Sequence, residues 1–193
     1  DYMEKGVRGD YENKEKLEKL LLFHTNYSDK MTTLKEYVKR MKNKQKAIYY
    51  ITGDSLERLK NSPYLERLKE KDYEVLFLVD PVDEWVIGAI SKFEDTPIQS
   101  IMAENLDLDS DEEIKAKEEK RKEAEEKYNP LKEAILKALS NEVRDIKLSD
   151  RLVDTPACLV SGAGDPSAHM VRLMKSMGQE MPKAQRILEI NPE

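Results

Sequence analysis

The six residues at 74–79, EVLFLV, constrain this chain more than any other stretch. A run that short and that apolar suits a strand covered on both faces, as in a parallel sheet, and lacks the alternation of a strand with one wet face. A second run of this kind, AIYYIT at 47–52, stops at Gly53-Asp54. Between the two, Ser55 can cap a helix in which Leu56, Leu59, Tyr64, Leu65 and Leu68 recur at helical spacing, with Pro63 dividing the segment. After the second run Asp80-Pro81 opens another helix, Pro81 being suited to its first position. The sequence therefore predicts an α/β fold: a β-α-β-α layered unit with a parallel sheet and a right-handed crossover.

A sheet covered on both faces needs apolar side chains to cover it, and 39% of the 193 residues supply them, while 37% charged residues predict an ionic surface. Lys and Arg number 33 against 39 Asp and Glu, a net charge of −6 with the two signs interleaved, so there is no electrostatic footprint for nucleic acid. No apolar run approaches the roughly 20 residues that span a bilayer, and no signal-peptide core opens the chain, so no membrane partner is expected. Cys158 is the only cysteine, which rules out an internal disulfide and suits a reducing, cytoplasmic setting. The chain opens at Asp1-Tyr2 without a methionine and stops at Asn191-Pro192-Glu193 just after an apolar run, the look of a piece of a longer protein.

In chain order, residues 1–12 are polar and read as a loosely held lead-in. A helix from about Asn13 should bury Leu17, Leu20, Leu21 and Phe23, and a loop should follow over 24–31, HTNYSDKM. Thr32 or Thr33 caps the next helix, whose buried stripe is Leu34, Tyr37, Val38 and Met41. Its basic outer face, Lys35, Lys39, Arg40, Lys42, Lys44 and Lys46, lacks the aromatics or Gly-rich loop of a phosphate site and reads as a solvated face. Beyond the central unit, 97–102 (PIQSIM) reads as a short edge strand and 103–113 (AENLDLDSDEE) as a polar joint. A charged helix follows, with acid-then-base pairs at four-residue spacing: Asp111 with Lys115, Glu113 with Lys117, Glu118 with Lys122 and Glu123 with Lys127. A separate helix from Asn129-Pro130 should turn Leu131, Ala134, Ile135, Ala138 and Leu139 inward. Strands at 143–148, 157–160 and 187–190 and a helix at 166–177 complete a smaller α+β domain.

Motifs for catalysis are scarce. There is no GxxxxGK[ST] loop, GxGxxG, HExxH or GxSxG, and Gly162-Ala163-Gly164-Asp165 lacks the Lys-Ser/Thr of a phosphate cradle and reads as a turn. His24, His169 and Cys158 are too scattered to suggest a metal set. Cys158, between Ala157 and Leu159, reads as a small buried apolar residue. Asp80, Asp83 and Glu84 gather at the carboxyl end of a strand, where open α/β sheets bind ligands, so a small α/β enzyme or ligand-binding domain there is an alternative reading. Helix capping accounts for the same acids. A structural coiled coil is a third reading, but only Tyr128, Leu131, Ile135 and Ala138 keep a heptad-like spacing, too few to sustain one.

Four blocks carry a resemblance beyond periodicity: LLFHTNYSDKMTTLKEYVKRMKNKQKAIYYITGDS at 21–55, SPYLERLKEKDYEVLFLVDPVDEW at 62–85, DTPACLV at 154–160 and ILEINP at 187–192. In this order they resemble signatures of the ninety-kilodalton heat-shock chaperone family (heat-shock protein 90), the bacterial type most closely. The resemblance implies that 1–108 is the distal part of that family's middle domain and 109–193 the start of its C-terminal domain, without the final dimerisation helices. It implies an ATP-driven parent whose ATP and Mg sit in an upstream domain, leaving no catalytic residue or cofactor in this chain. Unfolded or partly folded client proteins, a second protomer and co-chaperones are the implied partners.

The resemblance also assigns a client-binding site. Client contacts of the bacterial family fall on the helix that begins with the DEW motif, here Glu84 and Trp85, and the polar residue expected three positions later is Gly88 in this chain. The other half is an amphipathic segment matching 167–178, where Met170, Leu173, Met174 and Met177 follow at i, i+3, i+4 and i+7. Thioethers repack readily against varied partners. On pattern alone the same stripe is ordinary core, and the resemblance turns Met170 and Met174 toward clients while Met177 and Met181 stay open to either role. Trp85 either packs under its own sheet or is exposed. Exposure is favoured because Val86, Ile87 and Ile90 already supply a core face. The rigid β-α-β-α unit would act as a lever hinged near 107–111. Without terminal helices the chain is expected to be monomeric or only weakly associating.

Overall fold

The computed structural model describes residues 18–80, 82–139, 142–162, 164–179 and 186–192. Its first sheet runs β1-β3-β2-β5-β4, built from β1 (His24–Thr25), β2 (Ile48–Thr52), β3 (Val75–Leu78), β4 (Lys92–Phe93) and β5 (Thr96–Ser100). β2 is parallel to both β3 and β5, while the outer strands β1 and β4 are antiparallel to their neighbours. Side chains of β2 and β3 alternate between two cores, as the pleat requires. Ile48, Leu76 and Leu78 meet α1 (Leu34–Arg40) and α4 (Asp83–Ile90) on one face. Tyr49, Ile51, Val75 and Phe77 meet α2 (Leu56–Lys60), a 3-10 turn at Pro63–Leu65 and α3 (Glu66–Glu70) on the other. The covered strand and the β-α-β-α layering expected from EVLFLV are both present.

Local signals explain the helices. Thr33 and Glu36 form a capping box on α1, and Leu34 and Tyr37 are fully buried beneath it. Ser55 caps α2, and Gly53 just before it is tightly placed, since a Cβ would stand 2.7 Å from Leu59 Cδ2 and would force that side chain to shift. Pro63 opens the 3-10 turn that separates α2 from α3.

Several expectations are corrected. The loop expected over 24–31 contains β1, a two-residue strand too short for a pattern to reveal. Leu20 is 54% exposed and Phe23 pairs with Thr32 in an extended bridge, so 20–23 alternate rather than share a helical face. Leu17 and the lead-in lie outside the described residues. The strand at 97–102 is not an edge: β5 lies between β2 and β4, and the short edge strand Lys92–Phe93 had no sequence signal. α4 begins at Asp83 rather than Asp80, because Asp80 and Asp83 first close a turn in which the Asp80 N–H donates to the Asp83 carboxylate (3.0 Å) and the Asp83 N–H to the Asp80 carbonyl (3.0 Å). Pro81 lies outside the described residues. The basic face of and after α1 stays solvated as expected, Lys35 and Lys39 being exposed, while Arg40 pairs with Glu74, Lys42 with Asp72, Lys44 with Glu112 and Lys46 with Asp107.

The second sheet, β6-β8-β7, joins β6 (Val143–Leu148), β7 (Ala157–Val160) and β8 (Arg186–Ile190), with β8 parallel to β6 and antiparallel to β7. One face lies under α5 (Asp111–Ala138), a single 28-residue helix with Pro130 inside it rather than two helices. Pro130 removes one helical hydrogen bond, at a cost of about 3 kcal/mol. The face formed by Ala124, Tyr128, Ile135 and Leu136 packs on the sheet across that point, and the Tyr128 hydroxyl donates to the Pro192 carbonyl at 2.8 Å. Of the side chains expected to turn inward on this helix, Ile135 does; Leu131, Ala134, Ala138 and Leu139 are exposed. Of the expected ion pairs Glu118–Lys122 forms, whereas Glu113 caps Ser110 and binds Lys71, and Lys117 binds Asp109. The side chain of Asp111 lies outside the described residues.

The two sheets interlock. Arg151, 3% exposed, makes a bidentate pair with the carboxylate of Glu189 at 2.7 and 2.8 Å and donates to the carbonyls of Ile101 and Ala103. The Glu66 carboxylate of α3 accepts from the backbone N–H groups of Val153 (2.6 Å), Asp154 (3.0 Å) and Thr155 (3.2 Å) and from the Thr155 hydroxyl. Tyr64 packs against Leu152, Cys158, Val160 and Ile187. The stretch expected as a hinge is held too: Leu108 is buried in the first unit's core, and Asp109 pairs with Lys71 (2.9 Å) and Lys117 (2.7 Å).

Candidate functional site

The interlocked sheets bring together the two segments that sequence spacing placed far apart. On α4, Val86, Ile87 and Ile90 sink into the core as expected, which leaves Glu84, Trp85 and Gly88 off that buried face. Trp85 is half-buried, and its indole N–H donates to the sulfur of Met170 at 3.1 Å. Thioether sulfur is a weak acceptor, so this contact positions more than it binds. Glu84 keeps one carboxylate oxygen buried without a hydrogen-bond partner. Gly88 is exposed with open space where a Cβ would stand, so the fold leaves room for the polar side chain this sequence lacks.

Met170 belongs to α6 (Ala168–Ser176), which Ser167 caps by accepting from the Met170 N–H at 2.9 Å. Leu173 and Met174 are half-buried, and neither joins any of the four apolar cores. Met177 is 55% exposed, which resolves its open role against core; Met181 lies outside the described residues. The opposite side of α6 is ionic. His169 Nδ1 lies 3.2 Å from the Asp54 carboxylate, and Arg172 Nη2 reaches both oxygens of that group at 3.2 and 3.1 Å. Partial burial pushes the Asp54 carboxyl up, but Arg172 and His169 together hold it below the ordinary carboxylate range. His169 is buried and its Nε2 has no hydrogen-bond partner.

The sequence does not join Asp54, His169 and Arg172: His169 reads there only as a histidine too far from other ligands for a metal set, and Asp54 and Arg172 carry no role. The available signal was an acid directly after a strand's carboxyl end, at Gly53-Asp54, together with two basic side chains three apart on the polar side of an amphipathic helix. Nothing in the chain joined one to the other.

Asp80 and Asp83 are tied to one another in a helix-opening turn. A cleft of about 600 Å³ is lined by Glu104, Asp107, Arg121, Lys147 and Arg151 among others, and a shallower one of about 380 Å³ by residues around Tyr27 and Lys60; neither contains Asp80 or Asp83. Burial pushes the Cys158 thiol up to about 12, which suppresses its thiolate. Among the described residues no group of three His, Cys, Asp or Glu side chains is placed to hold a metal, and no helix is long and apolar enough to cross a membrane.

Comparison with known proteins agrees with the blocks quoted from the sequence. A family model described as Hsp90 protein matches residues 1–193. The chain is 58% identical over 192 residues to chaperone protein HtpG of Bdellovibrio bacteriovorus and 48% identical over 194 residues to that of Ruthia magnifica, covering 98% of this chain in each case. It spans 31% of the length of each of those relatives. Among solved structures, the middle domain of a Plasmodium falciparum heat shock protein is 38% identical and matches 52% of this chain and 43% of that one with a TM-score of 0.50. A family match over the full length, with relatives this similar over 98% of the chain, establishes that the chain belongs to the Hsp90 family.

Proposed function

We propose that this chain is a client-binding and interdomain-coupling segment of an ATP-driven chaperone that assists protein folding under stress. Residues 1–108 would be the distal part of a middle domain and 109–193 the first part of a C-terminal domain. ATP and Mg, the second protomer and co-chaperones would act through parts of the longer protein, in the cytoplasm, and this segment itself would do no catalysis. The observation that carries the reading is the meeting of Trp85 with Met170, flanked by Leu173 and Met174, which puts an indole and a thioether-rich helix face side by side outside the four cores. Such a face suits many unrelated unfolded chains, because it needs no fixed hydrogen-bond pattern and thioethers adapt their shape.

Coupling follows from the junction. With Arg151 donating to the carbonyls of Ile101 and Ala103 and Glu66 accepting from the backbone of 153–155, movement imposed on the first unit is passed to the second. The test is Trp85→Arg and Met174→Ser, separately, in a full-length protein carrying this stretch, with affinity measured for reduced, carboxymethylated lactalbumin as a permanently unfolded probe. Each variant is expected to weaken binding while keeping its circular dichroism spectrum; unchanged affinity in both would remove these residues from the site.

A further inference from the structure

α6 is held unlike any other long element of the fold. Its apolar residues Leu173, Met174 and Met177 join no core, and the side-chain bonds seen from it to the rest of the described residues go to the first unit: His169 and Arg172 to Asp54, and Met170 to Trp85. Asp54 sits just beyond β2, on the rigid sheet, and is 53% exposed at its side chain, as Arg172 is 58% exposed. Met170 lies between His169 and Arg172 in sequence, so the grip on Asp54 sets where its sulfur stands, which is against the Trp85 indole.

We infer that Asp54 is a latch that holds α6 down on α4, so that Met170 covers Trp85 until an unfolded client displaces it. The inference rests on the client-binding reading above and adds to it a closed state and the residue that sets it. Asp54 touches no client in this scheme. It is a positioning residue that acts through α6, and the exposed Asp54–Arg172 pair suits the task because it is weak enough to be broken by an apolar ligand. Loss of a pair worth up to about 1 kcal/mol raises the released population by up to about fivefold.

Trp85 is the only tryptophan in the 193 residues, so its fluorescence reports the latch directly. Asp54→Ala and Arg172→Ala are each expected to red-shift the emission and increase acrylamide quenching, and to speed amide exchange over 168–176. Arg172→Lys, which keeps a cation facing Asp54 and leaves His169 undisturbed, is expected to keep wild-type quenching, which a merely disturbed fold would not do. Arg172 is exposed, so its variants keep the test readable should Asp54→Ala fail to fold. Quenching in Arg172→Ala equal to wild type, or in Arg172→Lys equal to Arg172→Ala, would overturn the latch. Increased quenching without any gain in affinity for carboxymethylated lactalbumin would leave the latch standing and overturn the client-binding reading instead.

Discussion

Two of the junctions that join the first unit to the second half of the chain are built from different physics. At one, Arg151, 3% exposed and held by Glu189 of its own sheet, donates across to the carbonyls of Ile101 and Ala103, and Glu66 gathers three successive backbone N–H groups beside it. At the other, Asp54 meets Arg172 at an exposed surface with His169 beside it, and a weak N–H to sulfur contact from Trp85 to Met170 adds to the join. A buried charge cannot lose its partner cheaply, whereas exposed ions exchange partners for water at little cost. The first junction therefore fixes the two units and the second can open, which is the division of labour a coupled but adaptable binding surface needs.

The contrast can be broken most severely at Arg151. Arg151→Ala strands the Glu189 carboxylate and the carbonyls of Ile101 and Ala103, and should cost about 3–5 kcal/mol in chemical denaturation. Glu66→Gln should cost less, about 1.5–3 kcal/mol, by weakening charged hydrogen bonds to Val153, Asp154 and Thr155. Its effect should also depend on pH. Partial burial raises the Glu66 carboxyl, but the Thr155 hydroxyl and the three backbone N–H groups outweigh it and hold the group below its ordinary 4.5. The contribution is thus complete above about 4.5 and lost as pH falls through the lowered value, so wild type and Glu66→Gln should converge in stability on acidification. A constant difference down to strong acid would contradict that.

Smaller effects sharpen the other side of the comparison. Gly88→Ala should raise stability by about 0.5–1 kcal/mol, since the glycine is inside a helix with open space around it. A loss of stability there would show that the α4 surface is more crowded than its geometry indicates. Asp54→Ala should change global stability by only about 0.2–1 kcal/mol, while altering the Trp85 emission that Arg151→Ala, short of unfolding, should leave alone.

The sequence and the fold agree where burial dictates pattern. EVLFLV and AIYYIT announced the covered parallel strands, Ser55 and Thr33 the caps, and the 3.6-residue spacing of α6 its amphipathic face. Elements set by partners rather than by pattern were not legible. β1 and β4 are two residues each, and β5 was mistaken for an edge because nothing in it names β4. Pro130 signalled a helix boundary that packing of Ala124, Tyr128, Ile135 and Leu136 overrides. At the candidate site, Glu84, Trp85, Met170 and Met174 came from the resemblance, and the structure adds that Trp85 and Met170 touch. Asp54 could not be paired with His169 and Arg172 in advance, since 115 and 118 residues separate them and only the fold closes that distance.

The most direct test is amide hydrogen exchange with and without carboxymethylated lactalbumin bound. The account predicts that amides of α6 over 168–176 exchange faster than those at 153–155 in the free protein, and that the unfolded probe alters exchange in α6 and around Trp85 while leaving 153–155 unchanged. Equal exchange at the two junctions, or a response to the probe at 153–155 with none in α6, would contradict it.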